Sequence, residues 1–216
     1  MERITPSIEF VAHPTEVRSV AIGPKTSIIA SGGEDCKLNI WRHDSTSVWA
    51  LGNNKSPVER LCFDTDEQNV VSGAANGSLK VFDLNEGRLA RSLGGHKVNV
   101  SSIQYHPYGE FIVSGSNDAS MKVWDVRNKT CIQTYTGHDK DLTCVRFSPD
   151  GKWVASAAKD GQLLIWDLVA GKLLQVRGVV RMRCLLWFLR AGMPVLWCLL
   201  LRCAREIQCA SLHSLG

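Results

Sequence analysis

The chain has 216 residues, 44% of them hydrophobic and 21% charged, a composition that excludes a mostly disordered chain and suffices for a sizeable core. Its net charge of +4 is unevenly placed: from Val176 onward stand six Arg, no Lys and one acid, or +5, so residues 1–175 carry +4 less +5, or −1. A nucleic-acid partner, which would need basic charge on the folded part, is therefore not expected.

The opening MERITPSIEF lacks the charged-then-apolar order of a secretory leader, so the eight Cys are expected as thiols of a reduced, cytoplasmic chain. Cys36, Cys62, Cys131 and Cys144 stand singly and read as small buried hydrophobes. Cys184, Cys198, Cys203 and Cys209 crowd the C-terminal stretch without C-x-x-C spacing, so no metal site is expected.

Further along, the sequence repeats itself. Ile40-Trp41, Val81-Phe82, Val123-Trp124 and Ile165-Trp166 place an aromatic after a β-branched residue at intervals of 41, 42 and 42. His13, Asn54, His96 and His138 stand 28 residues before these aromatics; a Ser follows each by 18 (Ser31, Ser72, Ser114, Ser156), and Asp35, Asn76, Asp118 and Asp160 follow by 22. Within each copy a first strand is predicted on apolar residues spaced by three and then two: Val17, Val20, Ile22; Val58, Leu61, Phe63; Val100, Ile103, Tyr105; Leu142, Val145, Phe147. That step breaks strict alternation as a β-bulge does. A Pro/Gly turn such as HPYGE or SPDGK follows, then strands such as FIVSGS or WVASAA, MKVWDV or LLIWDL, and CIQTYTG. Four short antiparallel strands at this period are the pattern of a β-propeller blade.

The quoted stretches resemble the WD40 family: GGH and TGH begin repeats, and WD closes two of them at Trp124-Asp125 and Trp166-Asp167. The resemblance covers residues 1–175 and is weakest in the second copy, where Asn54, Asn76 and Phe82 replace the usual types. It implies an all-β fold, an incomplete WD40 β-propeller of about four blades (repeats about 12–42, 53–84, 95–126 and 137–168), and a non-repeat tail over 176–216, helical or disordered.

Recurrent Ser, His and Asp bring a nucleophilic triad to mind, but a catalytic site is built once, whereas His96/Ser114/Asp118 and His138/Ser156/Asp160 recur beside Trp124 and Trp166 at one spacing. We read these groups, with His13, Ser31, Asp35 and Trp41, as buried hydrogen-bonded tetrads that lock each blade. No phosphate-binding G-x-x-x-x-G-K-[ST] and no H-E-x-x-H occur, so neither a cofactor nor an enzymatic activity is expected.

Binding is what remains. By resemblance to other WD40 domains, Glu16, Arg18, Glu34, Pro57, Glu59, Ala75, Asn99, Ser101, Asn117, Asp141, Thr143 and Lys159 face the mouth of the central channel. The set is polar, mixed in charge and without an aromatic anchor, which fits a polar protein partner. Trp124-Asp125-Val126-Arg127 also fits the W-D-x-R box by which some WD40 proteins dock to the adaptor of cullin-type ubiquitin ligases, so a general scaffold or substrate receptor stays open. The third and fourth copies, with FVAHPTEVRSVAIG and IIASGGEDCKLNIW, look like the WD40 region of the regulatory, non-catalytic subunit of katanin. That likeness implies microtubule-associated or centrosomal protein partners and the targeting of a microtubule-severing ATPase to centrosomes and spindle poles. In that family a separate helical region binds the ATPase; it has no counterpart in this sequence, so recruitment of the ATPase in the usual way is not expected.

Continuing the register past Trp166 calls for His, Ser, Asp and Trp near 180, 198, 202 and 208, where Val180, Cys198, Arg202 and Gln208 stand. Val180–Cys203 is apolar, but Cys184–Leu201 is 18 residues long and contains Arg190 and Pro194, a poor transmembrane helix; a membrane partner is not expected. The 41 residues from Val176 have no Lys, Asn, Asp, Thr or Tyr but nine Leu, six Arg and four Cys. We read them as translated from intron or out-of-frame sequence. With four repeats, the arc is expected to leave an apolar flank exposed at either end.

Overall fold

The computed structural model describes residues 11–25, 28–42, 45–52 and 54–176. They form four four-stranded antiparallel sheets, each a meander in chain order. The first blade comprises β1 (Val17–Ile22), β2 (Ile28–Gly33), β3 (Leu38–Arg42) and β4 (Ser45–Leu51); the second β5 (Val58–Phe63), β6 (Asn69–Ala74), β7 (Leu79–Asp83) and β8 (Arg88–Leu93). The third holds β9 (Val100–Tyr105), β10 (Phe111–Ser116), β11 (Ser120–Asp125) and β12 (Thr130–Thr136); the fourth β13 (Leu142–Phe147), β14 (Trp153–Ala158), β15 (Leu163–Asp167) and β16 (Lys172–Val176). The fold is all-β, an incomplete WD40-type propeller of four blades, and no helix occurs among the described residues. The expected character of the tail lies outside them.

The first strand of every blade is the innermost. β1 lies against β5, β5 against β9 and β9 against β13, so the core forms between blades rather than within one. Ala30, Leu38 and Ile40 pack on Val58, Leu61 and Phe63; Val71, Leu79 and Val81 on Val100, Ile103 and Tyr105; Val113, Met121 and Val123 on Leu142, Val145 and Phe147. Each fully buried side chain of this size contributes about 1.5–3 kcal/mol, which is why the three-then-two spacing of the first strand recurs so strictly.

The seams need a missing side chain on the facing strand. A Cβ on Gly32 would lie 2.4 Å from Val58 Cγ1, on Gly73 2.5 Å from Ile103 Cδ1, and on Gly115 2.9 Å from Val145 Cγ1. These glycines let β2, β6 and β10 approach the next blade's first strand.

The flank of the first blade has no neighbour among the described blades. Val17, Val20 and Ile22 are 40%, 60% and 71% exposed, whereas their counterparts Val58, Leu61 and Phe63 are 0%, 8% and 9% exposed. The opposite flank departs from expectation: Cys144, Ala155, Ala157 and Leu163 are buried in a cluster of their own with Trp153 packed against it. The cysteines also differ from expectation. Cys144 is buried, Cys36 and Cys62 are half-buried, and Cys131 is exposed because it sits on β12, the outer strand of its blade.

The turn between the third and fourth strands needs a left-handed residue, at Gly87 (φ 62°), Lys129 (φ 58°) and Gly171 (φ 63°). Lys129 alone of the three carries a Cβ there. Lys129→Gly is expected to raise stability by roughly 0.5 kcal/mol, the left-handed strain relieved less the added freedom of the unfolded chain. An unchanged or lower denaturation midpoint would refute that account of the turn.

Candidate functional site

A register shift interrupts the pairing of the first and second strands in all four blades: between Val17 and Ser19, Val58 and Arg60, Val100 and Ser102, and Leu142 and Cys144. The residues left out of the ladder are Arg18, Glu59, Ser101 and Thr143. A bulge re-aims a side chain that regular pleating would point elsewhere, and here the same re-aiming happens four times at one end of the channel. Beyond the bulge one more backbone bond joins each pair of strands: Glu34 N–H donates to Glu16 O at 2.9 Å, Ala75 to Pro57 at 3.0 Å, Asn117 to Asn99 at 3.0 Å and Lys159 to Asp141 at 2.9 Å. The bulged residue and the bonded pair of each blade are thereby set side by side, and together they are the twelve positions singled out in the sequence.

The mouth is divided electrostatically. On the first two blades Arg18 lies 3.5 Å from Glu16, 3.5 Å from Glu34 and 3.0 Å from Glu59, so three carboxylates surround one guanidinium. On the fourth blade Lys159 Nζ meets Asp141 at 2.7 Å; this hydrogen bond holds the Asp141 carboxyl below its ordinary range. Between them lies a hollow of about 340 Å³ lined by Glu59, Asn99, Ser101, Asn117, Thr143 and Lys159. Ser101 Oγ and Thr143 Oγ1 donate to the carbonyls of Gly115 and Ala157, both at 3.1 Å, which fixes their rotamers. Asn99 Oδ1 is buried with no hydrogen-bond partner in the described chain. Pro57 and Ala75 bring no polar side chain to the second blade's sector.

The tetrads lie beneath this surface. Ser Oγ stands 2.9, 2.7 and 2.8 Å from His Nε2 in the pairs Ser31–His13, Ser114–His96 and Ser156–His138. The corresponding indole Nε1–H groups of Trp41, Trp124 and Trp166 donate to the same serine oxygens at 2.9, 2.8 and 2.8 Å. Nδ1 of the three histidines lies 2.9, 3.1 and 2.9 Å from Asp35, Asp118 and Asp160. A carboxylate can only accept, so Nδ1 carries the proton, Nε2 accepts from the serine, and the serine accepts from the indole. The connectivity equals that of a hydrolytic triad. The serines, however, are 3%, 0% and 0% exposed, and each oxygen already serves the indole and the imidazole, so no substrate reaches them.

Each aspartate also caps a turn, accepting the N–H of Lys37, Ser120 or Gln162. Burial would raise the Asp118 carboxyl, but bonds from the Ser120 hydroxyl and the Lys97 and Ser120 amides outweigh it and hold it down at about 2. Burial lowers the His96 imidazole below its ordinary 6.5, against the pull of Asp118. Both groups have folded values below their unfolded ones, so their stabilisation is present above the unfolded values and drains as pH falls, from about 6.5 for His96 and from about 3.8 for Asp118. The melting temperature is therefore expected to drop between about pH 7 and 5, and His96→Asn to flatten that dependence. An equal slope in the variant would remove His96 from the account.

The second blade carries a degraded tetrad. Ser72 Oγ reaches Asn54 Oδ1 only at 3.4 Å, Phe82 has no N–H to offer, and Asn54 Nδ2 is buried without a partner.

The W-D-x-R box has a buried end at Trp124 and an exposed end at Arg127. Trp124 is core, Asp125 accepts from the Asn128 amide and side chain at 3.0 and 2.8 Å, and Arg127 forks onto Glu110 at 2.8 Å at both contacts. The sequence reading passed over Arg60, Ser102 and Arg146, which line the channel wall below the mouth. Their place one and three residues past the bulge is the signal that could have found them. No helix among the described residues is long and apolar enough to cross a membrane.

Residues 87–125 and 129–167 match the family model "WD domain, G-beta repeat", and residues 20–98 match that of the anaphase-promoting complex subunit 4 WD40 domain. Among curated proteins, the chain is 43% identical over 74 residues to the katanin p80 WD40 repeat-containing subunit B1 of Danio rerio, covering 33% of this chain and 11% of that protein. It is 45% identical over 71 residues to an Arabidopsis thaliana homolog of that subunit, covering 32% and 6%, and 32% identical over 80 residues to the angio-associated migratory cell protein of Homo sapiens, covering 36% and 18%. The matched stretches thus span about a tenth or less of the length of the katanin subunits.

Proposed function

We propose that this chain, whose blades are WD40 repeats similar to those of the katanin regulatory subunit, is a non-catalytic protein-interaction module that binds a protein partner at the channel mouth. By that likeness it serves the targeting of microtubule severing at the centrosome and spindle pole. The observation that carries the reading is the bulge repeated in four blades, which leaves Arg18, Glu59, Ser101 and Thr143 out of the ladder at the same place in each first strand. A polar, preorganised surface on a rigid scaffold is suited to recognition, and the serines that imitate a nucleophile are sealed in the core.

Asn117→Trp tests this. Asn117 lines the hollow, and its backbone ladder bond survives the change, so the substitution fills the mouth without opening a blade. The wild-type chain is expected to concentrate at centrosomes and spindle poles and to co-sediment with microtubule-associated proteins; the variant is expected to melt at the same temperature and spread through the cytoplasm. Diffuse wild-type chain, or a variant that localises as the wild type does, would refute the reading.

A further inference from the structure

Below the mouth, the innermost strands of all four blades enclose a second hollow of about 390 Å³, and its chemistry differs from that of the rim. Its charged lining consists of Arg18, Arg60 and Arg146, with the hydroxyls of Ser19, Ser101 and Thr143 between them. Arg18 is neutralised by its three glutamates. The other two guanidiniums converge from either side on β9, the one inner strand with serines at both positions: Arg60 Nε donates to Ser101 O at 2.7 Å, and Arg146 Nη1 donates to Ser102 Oγ at 3.1 Å and to Val145 O at 2.6 Å. Ser102 Oγ also accepts the Val145 amide at 3.1 Å, so the Arg146 head is held in place across the seam. Among the described residues no carboxylate pairs with Arg146, and its Nε and Nη2 donate to nothing.

A guanidinium that lines a polar cavity, fixed by one nitrogen, with an adjacent pair of donors that bond nothing among the described residues and no carboxylate beside it, is the arrangement that grips an oxyanion with two parallel hydrogen bonds. We propose that this wall binds a single oxyanion, a carboxylate or phosphate, borne by a side chain of the protein segment that enters the mouth. Arg146 supplies the fork, Arg60 adds charge from the opposite side, and Thr143 and Ser101 flank them. The glutamates around Arg18 set a limit: a run of acids would meet Glu16, Glu34 and Glu59 on the way in, so one isolated anion is preferred to a polyanion. The inference rests on the mouth reading above and adds the chemical class of the ligand.

The test uses the whole chain and three labelled short Gly/Ser peptides that differ at one central residue, phosphoserine, glutamate or serine, with hexaglutamate as the polyanion, read by fluorescence anisotropy. The phosphoserine or glutamate peptide is expected to bind in a salt-sensitive manner, above serine and hexaglutamate, and Arg146→Gln to weaken it by about tenfold or more. Which of the two binds better identifies the source of the anion. Because Arg146 also bridges two blades, urea denaturation checks that Arg146→Gln stays folded, and Arg88→Gln is the companion variant: it removes one exposed guanidinium on the outer strand β8, outside the wall, and is expected to retain binding within about twofold. Equal binding by wild type and Arg146→Gln, equal loss in both variants, or preference for hexaglutamate would overturn the proposal. Pole localisation that depends on Asn117 while no oxyanion peptide binds would overturn it too, and would leave the mouth reading standing.

Discussion

Trp124→Ala is expected to unfold most of the chain at room temperature. The indole is 1% exposed, packs edge-on against His96 with centroids 6.0 Å apart, and belongs to the cluster that joins the second and third blades. Truncating a buried Trp costs about 3–5 kcal/mol, and the loss of the indole N–H also leaves Ser114 Oγ, at 0% exposure, without its donor. Against a whole-domain stability of about 5–15 kcal/mol that is a large fraction, and the remaining blades share their cores with the damaged one. Trp124→Phe separates the two contributions by keeping the ring and removing only the donor, at a cost of about 1–3 kcal/mol. The second blade displays this condition in the native chain, with Phe82 buried and Ser72 left with one long bond to Asn54. Urea denaturation followed by circular dichroism should therefore rank wild type above Trp124→Phe above Trp124→Ala. A Phe variant as damaging as the Ala variant would assign the whole effect to packing and none to the tetrad.

How much could be read beforehand depended on whether the physics is local in the chain. The tetrad distances follow from residues 18 and 22 apart because a four-stranded meander of fixed length returns His96, Ser114, Asp118 and Trp124 to one point, so spacing alone brought them together. The bulge left its trace in the three-then-two step, since the side chain it displaces must leave the apolar face. Arg60 and Arg146 left only their place one and three residues past the bulge, which does not say that they meet. Their meeting at β9 depends on the angle between neighbouring blades, a property of packing that no single repeat contains. Lys129, Ala119 and Cys36 were silent: all three occupy left-handed positions with φ near 60°, and a non-glycine residue there gives no turn signal. The exposed Val17, Val20 and Ile22 follow the same apolar pattern as their buried counterparts, because pattern records which face a strand hides and not whether a neighbour is present to hide it.

The blade seams carry the second large effect, and it should be graded. Gly32→Ala and Gly73→Ala are each expected to lose about 2–3 kcal/mol, and Gly115→Ala about 1 kcal/mol, the range that overpacking a close-packed core costs. The order follows from what the new methyl meets. On Gly32 it lies 2.4 Å from Val58 Cγ1 and 2.9 Å from Val58 Cβ, atoms a short branched side chain cannot swing away. On Gly73 it meets Ile103 Cδ1 at 2.5 Å and Val100 Cγ1 at 2.8 Å, whereas on Gly115 the nearest atom, Val145 Cγ1, is already 2.9 Å away and the next lies at 3.2 Å. Ile103→Val tests the mechanism directly because it deletes the Cδ1 atom in the path of the Gly73→Ala methyl. By itself it should cost about 0.5–1.5 kcal/mol, as removal of a buried methyl does. Combined with Gly73→Ala it should lose less than the sum of the two, with a coupling of about 0.5–1 kcal/mol, while the Val100 contact keeps the rescue partial. Strict additivity in that cycle, or a Gly115→Ala variant less stable than Gly32→Ala, would show that the seam yields by moving whole blades apart rather than by straining the side chains that meet there.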